Sequence, residues 1–191
     1  MTARNPDPDS EPDDRELAAR ALAGHQPAYG ALMRRHRDAV YRLARGHVGN
    51  GDEALDITQE TFVAAFAALA RYDGVRPFRV WIARIALNKC RDWARRRTVR
   101  RLFTFARPID DALAIASPDA TPEEVAHSHR EVARINAAIA ALPTNLKQVV
   151  LLRTIEGMSQ AEAADVLGVT EKAVETRLYR ARAKLTEILR D

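Results

Sequence analysis

The distribution of apolar residues constrains this chain most, because it leaves little room for β-structure. No stretch alternates apolar and polar residues for long, and the dominant residues, Ala, Leu, Arg and Glu, are good helix formers. Gly and Pro stand at expected helix ends, as at Gly24, Pro27 and Gly168. The sequence therefore predicts an all-α fold. We expect helices over residues 15–24, 27–48, 52–70, 77–97, 131–141, 143–155, 159–168 and 170–189.

Spacings of three, four and seven residues give two of these helices an apolar stripe. The stripe of the helix over 52–70 consists of Leu55, Phe62, Phe66 and Leu69, and that of the helix over 77–97 consists of Phe78, Trp81, Ile82 and Ile85. Because the aromatic residues of the second stripe share a face with isoleucines, we interpret them as core residues rather than as platforms for nucleic-acid bases.

Charge divides the chain into parts. Residues 76–107 contain 11 basic residues and one acidic residue, whereas residues 108–131 contain six acidic residues and one basic residue. The acidic segment also contains three prolines, which is typical of a linker. We therefore expect two small helical domains joined by a flexible acidic linker. The predicted divisions are an acidic disordered tail (1–14), a first domain (15–105), the linker (106–128) and a second domain (129–191).

Simple counts argue against a membrane or secreted protein. The longest apolar stretch, residues 62–70, has nine residues, far fewer than the roughly 20 that cross a bilayer. The acidic N-terminus lacks the basic start and apolar run of a signal peptide. Cys90 is the sole cysteine, which excludes an internal disulfide and a cysteine-clustered zinc site. We expect a cytoplasmic protein without membrane insertion.

Enzyme and metal-site motifs are missing from the sequence. The five histidines show no HExxH pairing, and there is no GxxxxGK[ST], GxGxxG or GxSxG segment. Asp56 and Glu60 lie one helical turn apart, but their neighbours are Thr and Gln rather than the buried or charged groups that acid–base catalysis needs. We expect no catalytic activity, cofactor, metal or small-molecule substrate.

The C-terminal segment has the pattern of a helix-turn-helix. Ser159 and Glu162 have the form of a capping box, Gly168 ends that short helix, and Thr170 caps a longer basic helix. The apolar stripe of the longer helix consists of Val174, Leu178, Ala181 and Leu185. Its opposite face suits a DNA major groove, with later arginines placed for phosphates. A merely solvated basic face is the alternative.

A second candidate surface lies on the helix over 77–97. Its polar face consists of Arg84, Asn88, Arg91 and Arg95, spaced four, three and four residues apart. Because Asp92 is the only acidic residue in the basic block, we expect internal ion pairs to be too few and the partner to be an external anion. Charge alone does not distinguish RNA, duplex DNA, single-stranded DNA and an acidic protein.

A third candidate surface is acidic. Asp52, Asp56 and Glu60 recur every four residues, and like charges at this spacing mildly destabilise an isolated helix. A basic partner would relieve that repulsion. A solvated helix start, favoured by the helix dipole, is an equal alternative.

With these features the chain resembles a bacterial RNA polymerase sigma factor of the extracytoplasmic-function (ECF) type, in group IV of the sigma-70 family. The resemblance covers residues 18–189 and rests on three motifs in order: DITQETF at 56–62, RPFRVWIARIALNK at 76–89 and GMSQAEAADVLGV at 157–169. It implies a region 2 bundle and a region 4 helix-turn-helix in an initiation factor that directs core RNA polymerase to particular promoters.

The resemblance also implies partners and roles. One face would bind the β′ clamp helices of core RNA polymerase, which would also contact the chain through its β subunit; two others would bind the −10 and −35 promoter elements. The implied polymerase-binding residues are Asp56, Gln59 and Glu60. Those implied to bind the −10 element are Arg76, Arg84, Asn88, Lys89, Arg91, Arg95 and Arg96. Those implied to bind the −35 element are Lys172, Glu175, Thr176, Arg177, Tyr179 and Arg180.

Two points stay open under the resemblance. A carboxylate at Glu175 would accept a hydrogen bond from cytosine but repel phosphate, so its contact with bases is undecided. An anti-sigma factor is the implied regulator, and a membrane-bound one would hold the chain at the inner membrane.

Two rival functions remain. One is a stand-alone helix-turn-helix regulator with an N-terminal sensing or dimerisation domain, which would bind DNA but not core polymerase. The other is an RNA-binding or nucleic-acid-processing enzyme, which would turn over labelled nucleic acid.

Overall fold

A computed structural model describes residues 11–103 and 122–190 of the chain, and every regular element in these two segments is helical. The prediction of an all-α fold is therefore confirmed. We call residues 11–103 the first unit and residues 122–190 the second unit. The helices of the first unit are α1 (Asp14–Leu22), α2 (Gln26–Val48), α3 (Gly51–Ala67) and α4 (Phe78–Phe103). Those of the second are α5 (Pro122–Ala141), α6 (Thr144–Val150), α7 (Gln160–Leu167) and α8 (Glu171–Arg190).

Side-chain caps fix the starts of two helices of the first unit. The Asp13 carboxylate accepts a hydrogen bond from the Glu16 amide at 2.7 Å and begins α1, and the Asn50 side chain accepts from the Glu53 amide and begins α3. A 3₁₀ turn, Leu69–Arg71, then leads to the loop before α4. The largest buried side chains between α2, α3 and α4 are Leu32, Leu43, Ile57, Phe78, Ile82 and Leu87.

The second unit contains the expected helix-turn-helix. Both halves of the Ser159–Glu162 capping box are present at the start of α7. Gly168 ends the helix in the left-handed region, at φ 65°, where a side chain would be strained. The Thr170 hydroxyl then caps α8 by accepting from the Ala173 amide at 3.2 Å. Val174 and Ala181 of α8 are buried, as its apolar stripe predicts.

One hydrophobic core runs through both units. Buried residues of the first unit, such as Leu43 and Ile82, belong to the same cluster as Leu151 and Met158 of the second. Leu151 begins a π-helical turn, Leu151–Ile155, that continues α6. The Leu151 side chain packs directly against Gly46 of α2, where an added Cβ would overlap the Leu151 Cδ2 methyl. Absence of a side chain at Gly46 therefore permits a close approach between the units.

Several predicted boundaries differ from those observed. Helix α4 continues to Phe103 rather than ending near residue 97, and α5 begins at Pro122, inside the predicted 106–128 linker. The rest of that linker up to residue 121, and tail residues 1–10, lie outside the described residues. The end of the predicted tail is not free: the Asp14 carboxylate lies 2.8 Å from both Arg35 Nη1 and His36 Nε2.

The apolar stripe predicted for α3 is partly wrong. Leu55 is 42% exposed, whereas Ile57 and Thr61 are buried with Phe62. Small Ala54 and Thr58 share the buried side and let α3 pack closely, so that the inward face includes part of the polar DITQETF motif. Among the described residues, no helix is long and apolar enough to cross a membrane.

Loss of the α7 cap should destabilise the protein measurably. Ser159→Ala removes the acceptor for the Glu162 amide and should lower the free energy of unfolding by about 1 kcal/mol in a urea titration. Ser159→Asp retains an acceptor and should remain within about 0.5 kcal/mol of the unsubstituted chain. Equal stability of Ser159→Ala and the unsubstituted chain would contradict the cap's contribution.

Candidate nucleic-acid interface

The basic face at the start of α4 is turned toward the second unit. Arg76 Nε lies 2.6 Å from an Asp165 carboxylate oxygen of α7. Arg79 donates to Glu162 through Nε at 3.1 Å and Nη2 at 2.6 Å. These arginines are about half exposed, so the pairs lie at the rim of the interface.

The same face continues along α4. Arg84 places its guanidinium against Gly168 in the turn of the helix-turn-helix, 3.9 Å from where a Cβ would stand. Arg91 donates to Asn88 at 2.9 Å and to Gln148 of α6 at 3.3 Å. Of the side chains predicted to bind the −10 element, Arg76, Arg84 and Arg91 therefore lie beside or are paired with groups of the second unit, and Asn88 accepts a hydrogen bond from Arg91.

Two other side chains predicted to bind the −10 element, Lys89 and Arg96, lie along another edge of α4, whereas Arg95 continues the stripe of Arg84, Asn88 and Arg91. Lys89 and Arg96 each approach Glu60 of α3 at 3.5 Å, and Arg95 pairs with Asp92 at 2.6 Å. The expectation that the basic block has too few internal acidic partners is wrong. Carboxylates distant in sequence, from α3 and α7, come to lie beside it.

The acidic surface on α3 is accessible. Asp56 and Gln59 are exposed, and they border a groove with Glu60, Val63 and Lys89. Val63 is 71% exposed, so the groove offers apolar contact beside its carboxylates. Lys89 and Arg96 of the chain itself partly offset the negative charge of Glu60. The side chains of Asp56 and Gln59 remain exposed.

Helix α8 carries the predicted groove-reading surface outward. Tyr179 is 76% exposed, and Thr176 and Arg180 are also exposed, whereas Arg177 is half-buried. Lys172 Nζ lies 2.8 Å from the Glu175 carboxylate. The negative charge of Glu175 is therefore partly neutralised within α8. The Thr176 hydroxyl donates to the Lys172 carbonyl at 2.9 Å.

Buried titratable groups occupy the other side of the contact between the units. His47 of α2 is 5% exposed and neither ring nitrogen has a hydrogen-bond partner among the described residues. Its pKa is lowered to about 4, first by burial and then by the charges of Lys147 and Arg91. Lys147 donates to the His47 carbonyl at 3.3 Å, and burial lowers its pKa as well.

Cys90 does not have the features of a reactive thiol. It lies in the core of the first unit, and burial raises its pKa to about 12. Within residues 11–103 and 122–190, no group of three or more His, Cys, Asp or Glu side chains is arranged to hold a metal ion.

The residues that join the units were not predicted from the sequence. Arg79 was not predicted to bind the −10 element, although it lies one turn from Arg76. Arg42 of α2 makes two hydrogen bonds to Glu156, at 3.1 and 3.0 Å, and the Glu156 side chain is only 6% exposed. These partners are 114 residues apart in the chain. No local pattern signals a pair at that separation.

An exposed basic helix, in a helix-turn-helix whose first helix packs against an arginine-rich helix, defines a DNA-binding protein of the helix-turn-helix class. Comparison with known proteins makes the assignment more specific. Residues 32–100 match the family Sigma-70 region 2, and residues 127–185 match Sigma-70, region 4.

Two relatives and one solved structure show the extent of the similarity. The chain is 43% identical to RNA polymerase sigma factor CnrH of Cupriavidus metallidurans, over 94% of this chain and 95% of that protein. It is 32% identical to the ECF RNA polymerase sigma factor SigM of Mycobacterium tuberculosis, over 94% of this chain and 86% of that protein. It is similar to the structure of CnrH in complex with the cytosolic domain of CnrY, with a TM-score of 0.70 and 40% identity, covering 92% of this chain and 96% of that one.

The chain belongs to the ECF family of RNA polymerase sigma factors. Sigma factors are transcription initiation factors rather than enzymes. The resemblance found in the sequence is therefore confirmed.

The buried imidazole of His47 should make stability depend on pH. Because its folded-state pKa, about 4, lies below the ordinary 6.5, the unfolded chain takes up a proton first as the pH falls. The contribution of His47 to stability is fully present well above pH 6.5 and should fall by up to about 3 kcal/mol toward pH 4. His47→Leu should flatten this dependence in urea titrations across that range, while His25→Leu, at an exposed position, should not. An equally steep dependence in His47→Leu would contradict the assignment.

Proposed function

We propose that this sigma factor binds core RNA polymerase through α3 and directs it to promoters through α4 and α8. One observation carries the proposal: the chain contains both matched sigma regions, and a sigma factor aligns with it over nearly its whole length. A stand-alone regulator would need only the second unit. A nucleic-acid-processing enzyme finds no support in the family, and we propose that the chain has no catalytic activity of its own.

The proposed polymerase contact is the outward face of α3. Asp56 and Gln59 point to solvent, and exposed Val63 supplies an apolar surface beside them. Charged groups around an apolar centre are typical of a protein interface, with the charges setting orientation and association rate. We propose that Asp56, Gln59 and Glu60 bind the β′ clamp helices, and that the polymerase β subunit supplies a further contact.

The proposed −10 surface consists of Arg76, Arg84, Asn88, Lys89, Arg91, Arg95 and Arg96. Arginine and lysine suit the phosphates of a captured strand, and contacts with phosphates can offset the few kcal/mol that unstacking a base costs. Arg79 lies on the same face and extends this surface.

The proposed −35 surface consists of Lys172, Glu175, Thr176, Arg177, Tyr179 and Arg180. Side chains near the start of a recognition helix reach base edges, and the later arginines reach phosphates. The Lys172–Glu175 pair reduces the repulsion that Glu175 would exert on DNA.

Regulation by an anti-sigma factor is part of the proposal. The relative CnrH has been solved with the cytosolic domain of CnrY. We propose that this chain works in the cytoplasm under a comparable inhibitor, and is held at the inner membrane when that inhibitor is membrane-bound.

Run-off transcription with purified core enzyme on a library of promoter fragments tests the function directly. The chain should direct initiation at specific start sites. Asp56→Arg should weaken association with core polymerase about tenfold or more, because it places positive charge where the carboxylate face docks. Asp38→Arg makes the same charge change at an exposed site on α2 and should leave association unchanged. DNA binding without polymerase association would favour the stand-alone regulator.

Removal of Arg180 should weaken recognition of the −35 element. Arg180→Ala is expected to reduce affinity for a duplex carrying a selected −35 element by about tenfold in a gel-shift titration. Arg134→Ala removes the same charge from α5, where Arg134 pairs with Glu131 of its own helix, and serves as the control. An equal effect of the two substitutions would contradict the assignment of α8.

A further inference from the structure

The two units meet through acidic groups of one and arginines of the other. The second unit presents Glu156 after its π-helical turn and Glu162 and Asp165 on α7, which we call the acidic edge. Their partners in the first unit are Arg42, Arg79 and Arg76, in that order. Each acidic residue of the edge therefore contacts an arginine of the other unit.

Two of these arginines belong to the proposed −10 surface as extended by Arg79. Arg76 and Arg79 direct their guanidinium groups at carboxylate oxygens at 2.6 Å. Carboxylates and phosphates accept the same charge-assisted hydrogen bonds from arginine. A carboxylate in this position therefore occupies the donors that a DNA phosphate would use.

The rest of the contact covers the same face of α4. Arg84 lies against Gly168, and Arg91 donates to Gln148. A strand following the α4 face would have to pass where α7 and α6 lie. Binding of DNA to this face and packing of the second unit on it are therefore mutually exclusive.

The apolar part of the contact depends on a small residue. Leu151 is 1% exposed and fills the space that a side chain at Gly46 would take. Glycine inside a helix is less favourable than alanine, and Gly46 lies within α2, in its last turn. Because Gly46 has no Cβ, Leu151 of the second unit can pack against α2.

We propose that the acidic edge is an intramolecular mimic of DNA. In the free chain it occupies the arginines at the start of the −10 surface, and the second unit must move away before a promoter strand can bind there. The DNA half of this inference rests on the proposed function. The closed packing of the two units does not.

The ion pairs suit a reversible contact. The guanidinium ends of these pairs, on Arg42, Arg76 and Arg79, are each about half exposed and therefore screened by salt, whereas the Glu156 carboxylate is only 6% exposed. A strand with several phosphates replaces all of these acceptors at once and adds the release of counterions. The competition therefore favours the closed arrangement when the chain is free and the open arrangement when DNA is bound.

The test uses the full chain and two independent ways to open it. Gly46→Ala changes no charge and introduces a methyl group against Leu151. Its control is Gly30→Ala in the same helix, where the new methyl group would meet only the flexible end of Arg34. Asp165→Asn with Glu156→Gln removes two carboxylates of the acidic edge, while Glu162 is kept because it also caps α7.

The charge control removes two carboxylates elsewhere in the second unit. Glu131→Gln with Glu187→Gln gives the same change in net charge, and these side chains pair with Arg134 and Lys184 of their own helices. Two quantities are measured for each variant: the radius of gyration by small-angle X-ray scattering, and affinity for a fluorescein-labelled single strand of DNA of mixed sequence.

Both opened variants should have a larger radius of gyration than their controls and should bind the single strand about tenfold more tightly than their controls. A tenfold gain corresponds to a binding-competent fraction that rises from about one tenth to nearly one. Circular dichroism should show the same helix content in all variants, which distinguishes separation of the units from unfolding.

Two outcomes overturn the inference. Opened variants that remain as compact as their controls show that these contacts do not hold the units together. Variants that expand without a gain in DNA affinity show that the acidic edge does not compete with DNA. Arg84→Ala in the Gly46→Ala background separates this failure from that of the proposed function: weakened DNA binding keeps the −10 surface and rejects only the mimic, whereas unchanged binding rejects the −10 surface as well.

Discussion

Helix α4 has an apolar side that must be buried and a strongly cationic side whose charge must be balanced. Much of the surrounding structure supplies that apolar packing and those negative charges. Its apolar side packs against α2 and α3 through Phe78, Ile82 and Leu87. One edge of its cationic side is neutralised by Glu60 of α3. The other edge is neutralised by α7, from the far end of the chain. Carboxylates of the chain itself therefore lie along both edges of this cationic side.

The closed packing does not conceal every proposed surface. Asp56 and Gln59 on α3, and Thr176, Tyr179 and Arg180 on α8, are exposed while the two units are in contact. Polymerase can therefore reach α3 before the units separate, and α8 can meet duplex DNA in either arrangement. The start of α4 is the surface whose use requires a change of conformation.

Local features of the fold were predictable from sequence because they depend on neighbouring residues. The Ser159 capping box, the turn at Gly168 and the Thr170 cap all form as their patterns indicate. Leu55 was placed on the wrong face, because helical spacing identifies a stripe but not which of two adjacent stripes faces a partner helix. Ile57 is buried in its place.

The candidate site was predictable in its residue types but not in its internal pairing. The basic face of α4 and the outward face of α8 follow from periodicity, whereas Arg79–Glu162 and Arg42–Glu156 join residues 83 and 114 positions apart. Such pairs arise from tertiary packing, which a single sequence read in short windows does not contain. The reason for glycine at position 46 also became visible only when Leu151 lay against it.

Glu162 accepts hydrogen bonds from Arg79 of the other unit and also holds the amide of Ser159 at the start of α7. A substitution that removes this carboxylate loosens the contact between the units and, at the same time, weakens the helix-turn-helix. Restraint between the units can therefore be removed without damage to the helix-turn-helix by changes at Asp165, Glu156 or Gly46, but not by a change at Glu162.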